Sequence, residues 1–482
     1  MERDVDVIVV GSGAAGLSAA IEARAAGATV MLIEADTHLG GATRNSTGVV
    51  YAVGTSTQAE DGVRDDPDAF YDYIMTLNQY ACRPDLMRHY ADGSAAMLEW
   101  LKDAGVEFPA AMLVHSDVSG VRRGHTSKTF GLGVADALIN RAGAIGVEHA
   151  LGTRIDALLV EDDRVAGIRA SDTALRAGSV VIATGGFGNN PAMLAKWFPS
   201  AAYHGDRAWA VHIDAPFILG DGITLGEQVG AQITGHDRGL IQPTPGFARN
   251  VEAFLPPWVV AVNKEGKRFM AEWDSYAVCG YLIDEQTDRR CWAIFDHPTL
   301  VANGDDLSYA DPYNSGLAIS SWEEHTIAAE LAKGAQARGV VHTADSIEDL
   351  ARKAGLDPVA VGETIRVYNQ DVEVHGEDRQ YRKDGNGHPL TPVKTAPFYA
   401  VEVRPAIIGF TAAGLDVDIE GHVRDTRGLV IPGLFAAGEV LGCFHGKRYG
   451  GGGMSIGSAV LFGREAGRVA AREALARQAV AA

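Results

Sequence analysis

The chain is poor in several things that would otherwise decide its class. Only 4 of its 482 residues are cysteine. Cys82, Cys279, Cys291 and Cys443 are scattered, with neither a CxxC pair nor zinc-ligand spacing, so free thiols are expected rather than a disulfide framework, and no metal site. No segment approaches the roughly 20 unbroken apolar residues of a membrane-spanning helix. Positive charge is short: 42 Lys and Arg face 62 Asp and Glu, a net charge of −20. That balance argues against nucleic acid or an anionic membrane surface as a partner. Strand-forming sequence starts within a few residues of Met1, so no signal peptide is expected and the location reads as cytoplasmic. Internal repeats and low-complexity linkers are missing as well.

Glycine, by contrast, is abundant, with 57 residues. At this length two or three domains are expected, with chain enough for large cores. The glycines carry most meaning near the start. An apolar run at 5–10 leads into Gly11-Ser12-Gly13-Ala14-Ala15-Gly16, then an alanine-rich helical pattern, then a second apolar strand at 29–33 ending on Glu34. Strand, glycine turn, helix, strand and acid together form a dinucleotide-binding unit. The glycines permit the tight turn and close backbone approach to a pyrophosphate, the helix N-terminus faces the anion, and Glu34 can accept from a ribose hydroxyl. A second small-residue turn follows at Gly40-Gly41-Ala42-Thr43, continuing through Thr47 and Gly48. It resembles the turn that passes along the pyrophosphate in FAD-binding flavoproteins, so FAD is the expected cofactor. No histidine attachment motif stands there, and the FAD is expected to be noncovalent.

The pattern further along predicts helices near 67–105 and 127–144, paired strands at 147–160 and 164–170, and a strand at 178–184. The last ends in Ala183-Thr184-Gly185-Gly186. Gly220-Asp221-Gly222 opens a short helix, which suits a place beside the nucleotide. From about 236 to 405 the chain turns richer in aromatic and acidic residues and loses the nucleotide-type glycine turns. It carries a strand pattern at 257–263, a KEGKRF hairpin and helical patterns near 321–338, 346–353 and 358–374. The expected organisation is an FAD domain in two parts, 1–235 and 406–482, around an inserted domain at 236–405. The fold class is α/β, a split Rossmann-type FAD-binding domain with an inserted smaller α+β capping domain. A final helix is expected over 455–477, followed by a frayed alanine-rich end.

Taken together, the N-terminal fingerprint, the GGAT turn, the ATGGFG step, the GKRFMAE hairpin and the ending IPGLFAAGEV…GGGGMSIGSAVLFGREAG resemble the FAD-dependent fumarate reductase and 3-ketosteroid dehydrogenase superfamily. The resemblance runs essentially end to end. It implies an active site between cofactor and capping domains, with hydride transfer between flavin N5 and a carbon next to an activated one. It extends the cofactor-binding set to Ala35, Ile155, Ala183, Thr184, Gly185, Asp221, Gly438, Glu439, Ser455 and Ile456, with Glu439 meeting the ribityl chain.

The branch rests on four positions. Fumarate reductases hold their dicarboxylate with two histidines and two arginines. Here the matching places carry Gln242 before Pro243-Thr244, Tyr276 four residues after Glu272, Phe410 before Thr411, and Tyr449 at the end of His445-Gly446-Lys447-Arg448-Tyr449. None is a cation, and an unpaired buried dianion is expensive, so fumarate and succinate are not the expected substrates. Arg448 lies one place off, and a one-residue slip would restore part of a carboxylate site. The replacements resemble the 3-ketosteroid Δ1-dehydrogenase branch. That likeness implies Tyr276 as base, with Tyr449 O–H and Gly453 N–H as oxyanion donors for a developing enolate.

One tyrosine of that branch is missing from 108–120 (FPAAMLVHSDVSG), where His115, Ser116 or Ser119 stand as substitutes for its relay. Taken alone, Tyr276 reads as a half-buried core tyrosine; its pairing with Tyr449 and Gly453 at the family's spacing gives the functional reading. His445 and Arg448 read either as packing residues or as catalysts, and His125 as a local hydrogen-bonding residue. The expected reaction is α,β-dehydrogenation of a cyclic 3-ketone, with a quinone or other acceptor taking the electrons because no second nucleotide fingerprint is present. The alternative is an ene-reductase acting on an enone or unsaturated carboxylate. A lyase or hydratase using FAD structurally is a third, non-redox class.

Overall fold

Strand β1 (Val5–Val10) is buried along nearly its whole length, as a strand must be when helices cover both faces of a parallel sheet. Its one polar residue, Asp6, is satisfied by the Thr29 N–H (2.7 Å) and hydroxyl (2.9 Å). Helix α1 (Ala14–Ala25) follows, and β2 (Val30–Ile33) returns parallel to β1, with Val7 opposite Val30. On the other side β3 (Thr173–Ile182) pairs parallel with β1, and β4 (Val430–Ala436) with β3. The sheet therefore reads β4-β3-β1-β2 through its centre. Glu148–Ala150 extends it parallel to β2, and His422–Arg424 closes the opposite edge antiparallel to β4.

The computed structural model describes residues 3–212, 215–248, 254–308, 320–383, 385, 389–442 and 444–481. They fall into two compact units. The first takes 1–202, 212–240 and 410–482; the second takes 203–211 and 241–409. Residues 203–211 join the second unit because Trp209–Ala210 forms a parallel strand on Ile407 and Ile408, a pairing that no local pattern announces. Cys82, Cys279 and Cys291 are free and buried; Cys443 lies outside the described residues.

In the first unit the last helix, α2 (Met454–Ala481), packs on α1 at backbone distance. A Cβ on Gly463 would stand 2.3 Å from the Ala15 carbonyl oxygen, and one on Gly467 2.1 Å from that of Ala19. Only glycines opposite alanines allow this approach. The helix runs on to Ala481, past the frayed end expected after 477.

The expected strand over 147–160 is two pieces. Glu148–Ala150 pairs with β2, while Ala157–Glu161 pairs antiparallel with Arg164–Ala170. Between them the backbone instead follows the end of β2, with Gly152 N–H on the Asp36 carbonyl (2.8 Å) and Thr153 N–H on that of Glu34 (2.9 Å). Gly152 makes the break possible at φ +63°. The KEGKRF segment is a tight turn closed by Asn263 and Lys267, and the strand ahead of it is Val260–Val262.

The second unit has a sheet whose alternate residues feed two cores, as the period of two requires. Ala261, Ala293, Phe295, Tyr399 and Val401 pack with Trp258, Leu300 and Trp322 on one face. Val260, Val262, Trp292, Ile294 and Ala400 pack on the other face with Leu350, Ile365 and Tyr368, carried by Ile347–Lys353 and Pro358–His375. One ionic group is wholly enclosed. The Arg268 guanidinium bridges Glu272 (2.8 Å) and Asp378 (2.7 Å), and Lys383 Nζ lies 3.3 Å from Glu272 and donates to the Val259 carbonyl. Two cations and two carboxylates balance, and the lysine and arginine also lie on the Tyr368 ring.

At the sheet edge of the first unit, His422 lies between Asp418 (3.0 Å) and Glu473 of α2 (2.8 Å). Both ring nitrogens donate, and these bonds push its pKa up to about 9. A raised histidine pKa adds stability that is full below the unfolded value near 6.5 and disappears as pH rises through the folded one. The stability of wild type to urea is therefore expected to fall between about pH 6.5 and 9.5, by up to about 3 kcal/mol more than that of His422→Gln does. Parallel curves for the two proteins would refute this.

Candidate active site

The glycines of the first turn do different jobs. Gly11 has φ +101°, and a Cβ there would lie 2.3 Å from the Ala183 carbonyl oxygen at the end of β3. A Cβ on Gly16 would lie 1.8 Å from the Gly11 oxygen. Both positions are closed by the protein itself. Gly13 faces open space: a Cβ there would have the Thr43 hydroxyl as its nearest neighbour, at 3.9 Å. The second turn lies against the first: Ala14 N–H donates to Thr43 Oγ1 (3.0 Å), and a Cβ on Gly41 would meet Gly13 Cα at 3.3 Å.

Glu34 is buried and closes this turn from behind. One carboxylate oxygen accepts from Ser12 N–H (2.8 Å) and Ser12 Oγ (2.5 Å), the other from Asp36 N–H (2.9 Å). Gly40 N–H donates to the same Ser12 hydroxyl (3.1 Å). A carboxylate has about four acceptor positions, so capacity remains on the Asp36 side. The loop that follows the end of β2 brings Ile155, buried, into this neighbourhood. Ala35 and Ala42 are half-buried, Thr47 is exposed, and Gly48 has φ +65° against the Phe130 backbone.

At the end of β3, Thr184 Oγ1 is buried with no hydrogen-bond partner among the described residues, and Gly185 follows at φ +74°. Glu439, half-buried, stands beside the next residue: a Cβ on Gly186 would come 2.1 Å from its Oε1. That oxygen accepts from Thr411 N–H (2.9 Å) and Oγ1 (3.1 Å), yet burial outweighs both bonds and pushes the Glu439 pKa up to about 7. Gly438, at φ +87°, brings the chain against Ala15 of α1. Asp221 begins its helix after Gly220 and pairs with Arg154; burial raises its pKa against the pull of that arginine.

Tyr449 is buried at the N-terminus of α2. Its hydroxyl oxygen accepts from Ser455 N–H (3.1 Å) and Oγ (3.2 Å). Burial raises its pKa, while Ser455 and the backbone groups of Gly453 and Met454 act in the opposite direction. Donors behind the oxygen polarise the phenol and leave its own proton to be given forward. Its ring belongs to an aromatic group with Phe410 (4.9 Å) and His445 (5.5 Å). Burial pushes the His445 pKa down to about 3, so this ring is a neutral one, and its Nδ1 has no partner among the described residues. Ile456 stands half-buried in the first turn of the same helix. Arg448 donates to the Leu77 carbonyl (3.0 Å) at the end of helix Pro67–Leu77, and its N–H to Asn78 (2.8 Å).

These observations meet the comparisons with known proteins. The FAD binding domain family model matches residues 6–455. The chain belongs to that family, and it binds FAD. It is 30% identical over 480 residues to the probable fumarate reductase Ifc3 of Shewanella frigidimarina (strain NCIMB 400), spanning 97% of this chain and 75% of that protein. It is also 30% identical over 493 residues to the vinyl phenol reductase of Lactiplantibacillus plantarum, spanning 97% and 96%. Among solved structures, the 3-ketosteroid-delta4-(5alpha)-dehydrogenase of Rhodococcus jostii RHA1 aligns with TM-score 0.77 at 25% identity, covering 98% of both chains. The chain is thus an FAD-dependent oxidoreductase of the fumarate reductase and ketosteroid dehydrogenase family. Its residues fit FAD: Gly13 leaves room where a pyrophosphate must approach, Thr184 Oγ1 awaits a partner, and Glu34 keeps acceptor capacity.

Residues 11–16, 34, 40–43, 183–185, 438–439 and 449–456 all belong to the first unit, and Tyr276 to the second. Tyr276 is buried at the first position of helix Tyr276–Asp284, edge-on to Phe254 (5.2 Å). His125 is committed locally to Thr55 (2.8 Å) and the Arg123 carbonyl (2.9 Å). Of the three relay substitutes, His115 is exposed, Ser119 accepts from Arg123 (3.3 Å), and the buried Ser116 hydroxyl lacks a partner among the described residues. Among the described residues no cluster of metal-ligating side chains forms, and no helix is long and apolar enough to cross a membrane. Sequence reasoning missed Tyr51, which lies directly against the four-glycine run, and Asp117, which accepts from its hydroxyl; a tyrosine ending a buried strand gave no sign of that place.

The unequal glycines give a test. Gly13→Val fills space that only the cofactor needs, so the FAD-free protein should keep its melting temperature while FAD affinity falls roughly 10- to 100-fold, the scale of overpacking by 1–3 kcal/mol. Flavin content and a thermal melt read both. Equal loss of stability without FAD would show that the protein, not FAD, requires this glycine.

Proposed function

We propose that the protein catalyses α,β-dehydrogenation of a cyclic 3-ketone of the 3-ketosteroid kind. The observation that carries this reading is Tyr449: a buried phenol with helix N–H donors behind its oxygen and neutral aromatic rings around it. Such a group donates to a carbonyl oxygen that gains charge, and it offers nothing to pair with a dicarboxylate. The C–H next to a ketone becomes acidic only as charge moves onto that oxygen. Tyr449 O–H and Gly453 N–H supply the two donors, and Tyr276 takes the α-proton at its phenolate oxygen. FAD supplies the acceptor for the hydride leaving the β-carbon, so the ketone loses two electrons and two hydrogens and gains a C=C bond. A quinone or another small acceptor then removes the electrons.

Reduction of an enone is the second reading, and the relatives favour it. Two proteins each 30% identical to this chain are named reductases, one of them for a vinyl phenol, a neutral conjugated alkene. The same donors serve either direction.

Anaerobic titration separates the two. Loss of the oxidised flavin band on adding a 3-ketosteroid or smaller cyclic ketone supports dehydrogenation; reoxidation of reduced flavin by an enone, with no bleaching by the ketone, supports reduction. No flavin response to either would overturn both. Tyr449→Phe should lower turnover about 100- to 1,000-fold and Tyr276→Phe about 100- to 10,000-fold, each with full flavin content. Near-normal rates in both variants would sink the mechanism.

A further inference from the structure

Outside the groups already assigned a role, a buried polar assembly in the first unit lies under the four-glycine run at 450–453. Tyr51 ends the strand Val49–Tyr51 with no exposed surface. Its hydroxyl donates to Asp117. Asp117 lies 3.8 Å from Arg123, and Arg123 forms a two-pronged bond to Asp65 (2.7 and 2.8 Å). Ser119 N–H fixes the other Asp117 oxygen (2.7 Å). The side chains of Arg123, Asp65 and Asp117 are at most 2% exposed. So the Tyr51 ring is clamped at its far end by charged groups held on three other segments.

The near side of that ring is the floor of the glycine run. A Cβ on Gly451 would lie 2.3 Å from Tyr51 Cε2, so the glycine backbone packs directly against the ring. Tyr51 N–H donates to the Gly453 carbonyl (3.2 Å), and Ser116, next to Asp117, accepts from Gly452 N–H (2.8 Å). Gly453 itself is in the left-handed region at φ +97°, with Val49 filling the space a side chain would need. A run of four glycines has the largest conformational freedom a backbone can have. Here it is held by contacts to three segments: 73–74, whose Tyr73 hydroxyl donates to the Gly450 carbonyl (3.1 Å), and 49–51 and 116–117, which the Tyr51–Asp117 bond ties to each other.

We propose that Tyr51, tethered by Asp117, is a positioning residue that holds the 450–453 backbone so that the Gly453 N–H is aimed at the substrate oxygen. This rests on the reading of Gly453 and Tyr449 as oxyanion donors. Tyr51 itself touches no reacting atom. Its effect is on the direction of a backbone donor, and a misdirected donor loses much of its value because hydrogen bonds weaken steeply with angle.

The test uses the FAD-loaded protein and 4-nitrophenolate, an aromatic oxyanion that mimics an enolate oxygen, with binding read from its absorbance and from the flavin spectrum. Tyr449→Phe should weaken phenolate binding about 10-fold or more; if it does not, the oxyanion reading fails and the Tyr51 inference falls with it. With that established, Tyr51→Phe and Asp117→Ala, which cut the same tether, should each weaken phenolate binding about 3- to 10-fold. Both should lower kcat for the ketone or enone by a similar factor with KM within about twofold, and the double variant should be no worse than either single one. Asp117→Asn keeps an acceptor for the tyrosine and should restore most of the loss. Wild-type phenolate affinity in Tyr51→Phe, or losses that follow flavin content or melting temperature instead, would overturn the positioning role while leaving the oxyanion donors in place. Should Tyr51→Phe fail to fold, the comparison of Asp117→Ala with Asp117→Asn decides by the same criteria.

Discussion

Helix α2 can approach α1 only because Gly463 and Gly467 present no side chains where the Ala15 and Ala19 carbonyl oxygens stand. Neither start is fixed locally: α1, at 12 residues, is too short to persist without packing, and α2 follows directly on a run of glycines. Pressed together, they make one rigid base from the two ends of the chain. The start of α1 is the glycine turn at 11–16, and the start of α2 holds Ser455 against Tyr449. Gly438 then brings Glu439 over Ala15 of the same base. The glycine turn at 11–16 and Tyr449 thereby share a single mechanical reference, although more than four hundred residues separate them in sequence.

The second unit solves a different problem. Its helix Tyr276–Asp284 follows Glu272 by four residues, and Glu272 is fixed by Arg268, Lys383 and the Ala261 N–H (3.0 Å). An enclosed ionic group adds little net stability against its desolvation cost, but it tolerates few geometries. The apolar cores on either side of the sheet fix how much is buried. The ion group fixes where the backbone of 268–272 must lie, and hence where Tyr276 begins.

What could be read from sequence followed from local demands. The turn at 11–16, with Glu34 closing it, shows in any strand–turn–helix–strand pattern because each residue answers to neighbours nearby in the chain. The α/β class and FAD followed from it; the structure bears out the first and the FAD binding domain family match the second. The strand expected over 147–160 failed because its apolar residues serve two different partners, and Gly152 breaks it between them. Trp209 and Ala210 gave no warning that they pair with Ile407 and Ile408. Tyr51 was missed for the same reason: its partner Asp117 is 66 residues away, and no spacing rule connects them. Pairings made only in three dimensions leave no periodic trace.

The division of labour within the first turn has a use beyond this chain. Gly11 and Gly16 are held by the fold, because Ala183 and the turn itself occupy the space around them. Gly13 has open space around it, so the fold itself does not hold it as glycine. In a descendant that kept this architecture but stopped carrying a dinucleotide, the first and last glycines would remain while the middle one became free to drift. A filled middle position between two retained glycines would then be a sequence mark of a flavoprotein fold that has lost its flavin.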